Sequence, residues 1–319
     1  MKKILLLFFL TISIIVSNAQ QKSEQFNIAV NYLLYLPQEY EKDTATKWPL
    51  LIFLHGSGER GDDLQKVKMH GPPKMIDQGK QFPFIVASPQ APMDGWEPEV
   101  LIRFVRGLQN KYRVDGERIY LTGLSMGGYG TWELAMKYPH MFAAIAPICG
   151  GGDTTEISKL KHMPVWCFHG AKDKVVKPEE SIRLVKALQK YNQNVKLTIY
   201  PDAEHDSWTA TYNNDSLYQW FLQYKKFRYP RRTLSDADLA EYAGNYVVNN
   251  MDTLNLIPKE GKLVLKNQPS VEIISFEKDG FVVEANNKEL EIKAVRNKKG
   301  KVEKLVVYDE KPVELRKVN

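Results

Sequence analysis

Between Phe26 and about Tyr224 the chain alternates short, β-rich apolar runs with longer stretches of helical period. That alternation predicts an α/β fold, a mostly parallel sheet with helices on both faces. Strands are expected over Ile28 to Leu36, Pro49 to Leu54, Phe84 to Ala87, Ile119 to Thr122, Ala143 to Ala146, Val165 to Phe168 and Val195 to Ile199. Pro49-Leu50-Leu51-Ile52-Phe53-Leu54 is apolar at every position, as a strand covered on both faces requires. Helical patterns occupy Glu99 to Tyr112, Met126 to Tyr138 and Pro178 to Tyr191. The last opens on a proline in its first turn, where the missing N–H costs nothing. A closing helix is expected from about Ser216 to Lys225.

Past Tyr229-Pro230-Arg231-Arg232 the period changes to short alternating runs, among them Thr253 to Ile257, Lys262 to Leu265, Phe281 to Val283 and Lys304 to Tyr308. Turn chemistry separates them at Lys259-Glu260-Gly261, Asp279-Gly280, Asn286-Asn287 and Lys299-Gly300, so this part reads as an antiparallel meander or small barrel. The start is different again. Met1-Lys2-Lys3 precedes an apolar run from Ile4 to Val16, and Ser17-Asn18-Ala19 supplies small residues for cleavage. The run is short of the roughly 20 apolar residues that a membrane-spanning helix needs, so it reads as a signal peptide. The expected organisation is therefore a signal peptide over 1–19, an α/β domain over 20–230 and a small antiparallel β domain over 231–319. The implied destination is the periplasm or the extracellular space, with no stable membrane anchor after cleavage.

Net charge is +6 over 319 residues and falls by two when Lys2 and Lys3 leave, with both signs interspersed. No basic face points to nucleic acid. An exported protein permits a disulfide, but aligning the strand ends Gly150 and Gly170 sets Cys149 beside His169 rather than Cys167. Two free core thiols are expected.

The strongest chemical signal is Gly123-Leu124-Ser125-Met126-Gly127, lying after one expected strand and before one expected helix. A serine on such a turn is pushed clear of the sheet, and its flanking glycines avoid collisions with neighbouring backbone. The helix start offers free N–H groups and a positive dipole end to a developing oxyanion. A serine hydroxyl also needs a base and a group that holds the base's tautomer, and with this turn they follow in the chain, acid first. His205, in the polar loop Pro201 to Trp208, is the expected base. His169 ends a buried strand and is expected to bond locally, while His140 and His162 sit in connecting segments. Asp173 is the preferred acid because it follows the strand immediately before the histidine-bearing loop, with Asp153 as the alternative after the preceding strand. The second oxyanion donor, besides the Met126 N–H, is expected from the glycine-containing turn His55-Gly56-Ser57-Gly58-Glu59-Arg60-Gly61, at the Ser57 N–H. Glu59 and Arg60 read as a buried pair or as pocket lining. Trp96 and Trp208 are candidate substrate contacts, or core packing. No metal or organic cofactor is implied, because nucleophile, base and donors all come from the chain.

Taken together, His55 to Gly61, Gly123-Leu124-Ser125-Met126-Gly127-Gly128-Tyr129-Gly130-Thr131-Trp132 and His205-Asp206-Ser207-Trp208 resemble bacterial α/β-hydrolase carboxylesterases. The nearest group is the polyhydroxybutyrate-depolymerase-like and feruloyl-esterase one, related to dienelactone hydrolases and prolyl oligopeptidase catalytic domains. The resemblance spans roughly residues 26 to 226. It implies the α/β-hydrolase fold, a Ser125-His205-Asp173 triad, oxyanion donors at Ser57 and Met126, and ester hydrolysis on a small-molecule or polysaccharide-linked substrate. A peptidase or an acyltransferase would use the same triad, and a binding protein with a vestigial pocket would keep the fold. The tail, with Leu239 and Tyr242-Ala243-Gly244-Asn245-Tyr246, resembles β modules appended to other bacterial hydrolases. Oligomeric state is not legible in the sequence.

Overall fold

The computed structural model describes residues 29–248, 252–285, 288–308 and 312–318. The expected signal segment and the Asn286-Asn287 turn lie outside the described residues. Seven strands, Tyr32–Tyr35 (β1), Trp48–Leu54 (β2), Ile85–Pro89 (β3), Val114–Leu124 (β4), Ala144–Ile148 (β5), Val165–Gly170 (β6) and Val195–Tyr200 (β7), form one sheet in the order β1-β3-β2-β4-β5-β6-β7. Only β1 runs antiparallel to its neighbour; every other pair is parallel.

Successive strand residues point to opposite faces, and the sequence supplies apolar side chains to both. Ile52, Leu121 and Cys167 face one layer, built from Pro98–Lys111 (α2), Met126–Lys137 (α3) and Glu179–Leu188 (α4) through Val105, Trp132 and Leu184. Their neighbours Phe53, Tyr120 and Phe168 face the other, where Gly71–Asp77 (α1), Trp208–Tyr212 (α5) and Asp215–Leu222 (α6) contribute Met75, Tyr212 and Phe221. Ile148 pairs with Phe168 across β5 and β6, which sets Cys149 level with His169, and both cysteines are free and buried.

Beyond Asp236–Tyr242 (α7), eight strands run in sequence: Gly244–Val248 (β8), Asp252–Lys259 (β9), Lys262–Leu265 (β10), Gln268–Glu277 (β11), Gly280–Ala285 (β12), Lys288–Arg296 (β13), Val302–Tyr308 (β14) and Val313–Val318 (β15). Each pairs antiparallel with the next, and β15 closes on β8 to complete a barrel. An eight-stranded barrel is just wide enough for side chains to fill. Here Tyr246, Leu263, Phe281, Leu305 and Leu315 do so, joined by Leu239 and Tyr242 from α7.

Several elements differ from the sequence expectation. β4 begins at Val114 rather than Ile119, because Val114 pairs with Trp48 despite the polar residues that follow it. The expected closing helix is α6, which ends at Leu222 rather than Lys225; α5 is an additional helix before it, divided from α6 at Asn213 and Asn214, where the Asn214 side chain accepts the Ser216 N–H at 3.0 Å. α1 is an additional helix, begun by Gly71-Pro72-Pro73. α7 is another, opened by Ser235 and Asp238, which cap each other's backbone N–H groups.

Candidate active site

The site lies where the loops leave the C-terminal ends of the parallel strands, the edge at which open α/β sheets bind ligands. β4 ends at Leu124 and α3 starts at Met126, so Ser125 must turn the chain within one residue. It does so at φ 53° and ψ −115°, a region that a side-chain-bearing residue seldom adopts. The Ser125 N–H donates to the Ile148 carbonyl at 3.0 Å, and the Ser125 carbonyl accepts from the Tyr129 N–H. The turn is possible because its flanks are glycines. A Cβ on Gly123 would lie 2.3 Å from the Gly127 carbonyl oxygen, and one on Gly127 would lie 2.0 Å from that of Leu54.

The Ser125 hydroxyl donates to His205 Nε2 at 3.0 Å, and His205 Nδ1–H donates to Asp173 Oδ2 at 2.7 Å. Asp173 Oδ1 accepts the Val175 and Val176 N–H groups, each at 2.9 Å, and the carboxylate is fully buried. Burial alone would raise its pKa. The hydrogen bonds from His205, Val176 and Val175 outweigh that and hold it below the usual carboxylate value. Asp153, the alternative acid, is exposed and turned to its own loop, accepting from the Thr155 N–H and hydroxyl. The hydrogen-bonded set therefore contains Asp173 and not Asp153.

On the opposite side of Ser125 lies the turn after β2. A Cβ on Gly56 would meet the Leu124 side chain at 2.8 Å, so this turn packs directly against the residue before the serine. Ser57 opens a 3-10 turn, Ser57–Glu59, and is exposed. Met126 is the first residue of α3, so its N–H has no acceptor within the helix. Glu59 and Arg60 do not pair. Glu59 Oε2 turns inward to accept the Gly56 N–H at 2.8 Å, whereas Arg60 reaches outward to the carbonyls of Ser57 and Met93. Inward, the chain has a backbone donor without a partner; outward, it has free carbonyls. Each side chain meets the group that it can satisfy.

Beneath that turn His55 donates through Nδ1 to the Gly56 carbonyl at 2.6 Å and accepts the Ala91 N–H at Nε2. Burial pushes its pKa down to about 4, leaving it neutral. Trp96 covers His55, with ring centroids 4.7 Å apart and its indole N–H on the His55 carbonyl. Trp208 stands edge-on to His205 at 5.2 Å and reaches His70 through its indole N–H. Trp208 therefore touches the hydrogen-bonded set and Trp96 braces the turn beside it.

Three neighbours of Asp173 were not singled out as such in the sequence. The N–H groups of Val175 and Val176 are invisible in side-chain chemistry. His169, expected to bond locally, does so with Ser181 and Val176, and also lies 3.3 Å from Asp173 Oδ2. Among the described residues, Cys149, Asp173 and His205 bring possible metal-binding atoms within 4.8 Å of one another. Burial pushes the Cys149 thiol up to about 12, and Asp173 and His205 are already joined to each other, so this set suits a hydrogen-bond relay better than a cation.

A doubly covered, mostly parallel sheet with a serine on a strained strand-to-helix turn, a histidine after the last strand and an acid after the one before it is the α/β-hydrolase fold. Residues 97–226 match the dienelactone hydrolase family model. It is 24% identical over 213 residues to a bifunctional acetylxylan esterase/xylanase of Neocallimastix patriciarum, covering 60% of this chain and 30% of that protein. It is 41% identical over 49 residues to poly(3-hydroxyalkanoate) depolymerase C of Paucimonas lemoignei, covering 15% of this chain and 12% of the other. The chain thus spans less than half the length of either. Among solved structures, a thermostable esterase superposes with a TM-score of 0.54 at 33% identity, over 62% of this chain and 60% of that one. Among the described residues no helix is long and apolar enough to cross a membrane.

Proposed function

We propose that this protein is an exported serine carboxylesterase, acting on acyl or feruloyl esters carried by a polysaccharide or its fragments. The observation that carries the reading is the unbroken relay from Ser125 Oγ through His205 to Asp173, at 3.0 and 2.7 Å, with the serine on a strained turn at a helix start. His205 takes the proton from Ser125 as the hydroxyl attacks the ester carbonyl, while buried Asp173 keeps the acceptor nitrogen facing the serine. The N–H groups of Ser57 and Met126 hold the oxyanion. His205 then protonates the departing alcohol, and water, activated by the same histidine, releases the acyl group.

An aromatic or otherwise apolar acyl group is supported by exposed apolar side chains on the segments around the site. Met69, Met93, Tyr129 and Val175 are exposed, and each belongs to a segment that carries or braces a member of the relay. Val175 donates to Asp173, Tyr129 is one helical turn beyond Ser125, the Met93 carbonyl is held by Arg60, and Met69 precedes the His70 that touches Trp208. Export rests on the Met1 to Ala19 pattern, and the polysaccharide on the acetylxylan esterase relative.

The test is hydrolysis of p-nitrophenyl acetate and methyl ferulate by purified protein, with fluorophosphonate labelling. Ser125→Ala should abolish both labelling and turnover. Asp173→Asn should lower kcat by roughly 10⁴-fold, whereas Asp153→Asn should leave it within about twofold, since exposed substitutions away from the reacting groups are close to neutral. Peptide cleavage without ester cleavage, or a wild type that does not label, would reject the reading.

A further inference from the structure

His169 is fully buried at the end of β6, four residues before Asp173, and it has no place in the relay described above. Its Nε2 lies 2.8 Å from the Val176 carbonyl and 3.3 Å from Asp173 Oδ2. Both neighbours are acceptors only, the carboxylate being ionised, so Nε2 carries the proton. Its Nδ1 lies 2.7 Å from the hydroxyl of Ser181 on α4, and that hydroxyl is 3.1 Å from the Gly150 carbonyl. Gly150 in turn packs against the first turn of α3, where a Cβ on Gly128 would meet the Gly150 Cα at 3.0 Å. Close packing at Gly128 and Gly150 thus joins the helix that starts at the nucleophile to the neighbourhood of Ser181, whose hydroxyl meets His169 beside the carboxylate.

We propose that His169 is a positioning residue for Asp173, its Nε2–H fixing the Val176 carbonyl and with it the 173–176 turn, so that Oδ2 meets His205 and not solvent. The inference rests on the reading of Ser125, His205 and Asp173 as a triad. Oδ1 is already fixed by two backbone N–H groups, but these leave the carboxylate free to tilt about that oxygen. The second imidazole limits that freedom by holding the turn at Val176 while standing 3.3 Å from Oδ2. It also draws on the negative charge of Oδ2, which moderates the hold of Asp173 on the His205 proton. The other titratable groups packed around the pair are Cys149, Cys167 and Tyr129. Burial pushes both thiols up to about 12 and raises the phenol, so these three stay neutral beside the carboxylate.

The experiment compares wild type, His169→Leu, His169→Gln and Ser181→Ala in turnover of p-nitrophenyl acetate across pH, with thermal unfolding measured alongside. His169→Leu should lower kcat by roughly tenfold to hundredfold, the scale of a small misplacement of a catalytic group, with KM little changed. The acid limb of kcat/KM should move to higher pH, because without the His169 dipole Asp173 holds the His205 proton more tightly. Gln, which keeps a side-chain N–H, should restore most of both. Ser181→Ala should shift the limb in the same direction with a smaller loss, and it reports even if His169→Leu does not fold. An unmoved acid limb in the folded variants, or equal losses in Leu and Gln that track only the melting temperature, would overturn the proposal. If the wild type has no turnover that depends on Ser125, the triad reading fails first and this inference falls with it. Ser125-dependent turnover with unaltered His169 and Ser181 variants removes this inference alone.

Discussion

His55 is buried under the turn that faces Ser125, and its two ring nitrogens are both committed, one as donor to Gly56 and one as acceptor from Ala91. A proton on Nε2 would break the second bond. Its folded pKa of about 4 lies below the unfolded value near 6.5. As pH falls through that window the unfolded chain takes up a proton that the folded one refuses, so stability is lost between about pH 6.5 and 4, by up to about 3 kcal/mol. Urea unfolding of wild type and His55→Asn at pH 7 and pH 4.5 checks this. The stability gap between the two should narrow at the lower pH, and a constant gap would mean that His55 titrates normally. At this scale the sequence was informative where chemistry is tied to a motif. Ser125 is marked by its glycines and His205 by its polar loop after the last strand. Asp173 and Asp153 occupy similar post-strand positions, and only the fold separates them, by bringing one to His205 and turning the other to Thr155. The bonds of Glu59 and Arg60 were not legible, because both are made to backbone groups that no side-chain pattern encodes.

The turn from β4 into α3 is an element-scale device. Its strained serine costs on the order of 1–3 kcal/mol and is held by close backbone contacts on both sides. Gly127 is where that packing is tightest, since an added Cβ would meet main-chain atoms that cannot rotate away. Gly127→Ala should therefore lose at least about 3 kcal/mol, the upper range for overpacking a core, and turnover with it. Gly58, in the neighbouring loop, has nothing within 4 Å of an added Cβ. Gly58→Ala should stay within about 0.5 kcal/mol of wild type. Denaturant midpoints for the two variants provide the measurement, and equal losses would mean that the turn is softer than its contacts imply. The central strands were legible because they are apolar throughout, α2 and α4 because each keeps a buried stripe over ten or more residues, and α3 because only Tyr129, Glu133 and Lys137, one turn apart, are exposed. α1 and α7, at seven residues each, are too short for a period to stand out. The extension of β4 back to Val114 depends on pairing with Trp48, a long-range contact.

At the scale of the whole molecule, one contact between the barrel and the sheet domain among the described residues lies away from the relay. Lys161 Nζ reaches Glu291 of β13 at 2.5 Å, the Tyr229 hydroxyl reaches the same carboxylate at 2.7 Å, and the Tyr229 ring packs on Phe276 at 4.8 Å. Lys161 precedes β6, so this contact is at the N-terminal end of the strands, whereas Ser125, Asp173 and His205 follow their C-terminal ends. The strands themselves therefore separate this contact from the nucleophile. It also has its own closed ladder and filled interior, while both faces of the sheet are covered by the sheet's own helices. A chain ending after Tyr229 should consequently fold and hydrolyse p-nitrophenyl acetate within about threefold of the full-length rate. It should melt lower by a few degrees, the scale set by about 1 kcal/mol of lost docking contacts in a domain of this size. Circular dichroism and steady-state kinetics on the two chains decide it. Loss of turnover on the soluble ester from a folded, truncated protein would show that the barrel acts on the site across the sheet. Retained turnover with lost activity on a polymeric ester would instead give the barrel a role in holding the polymer.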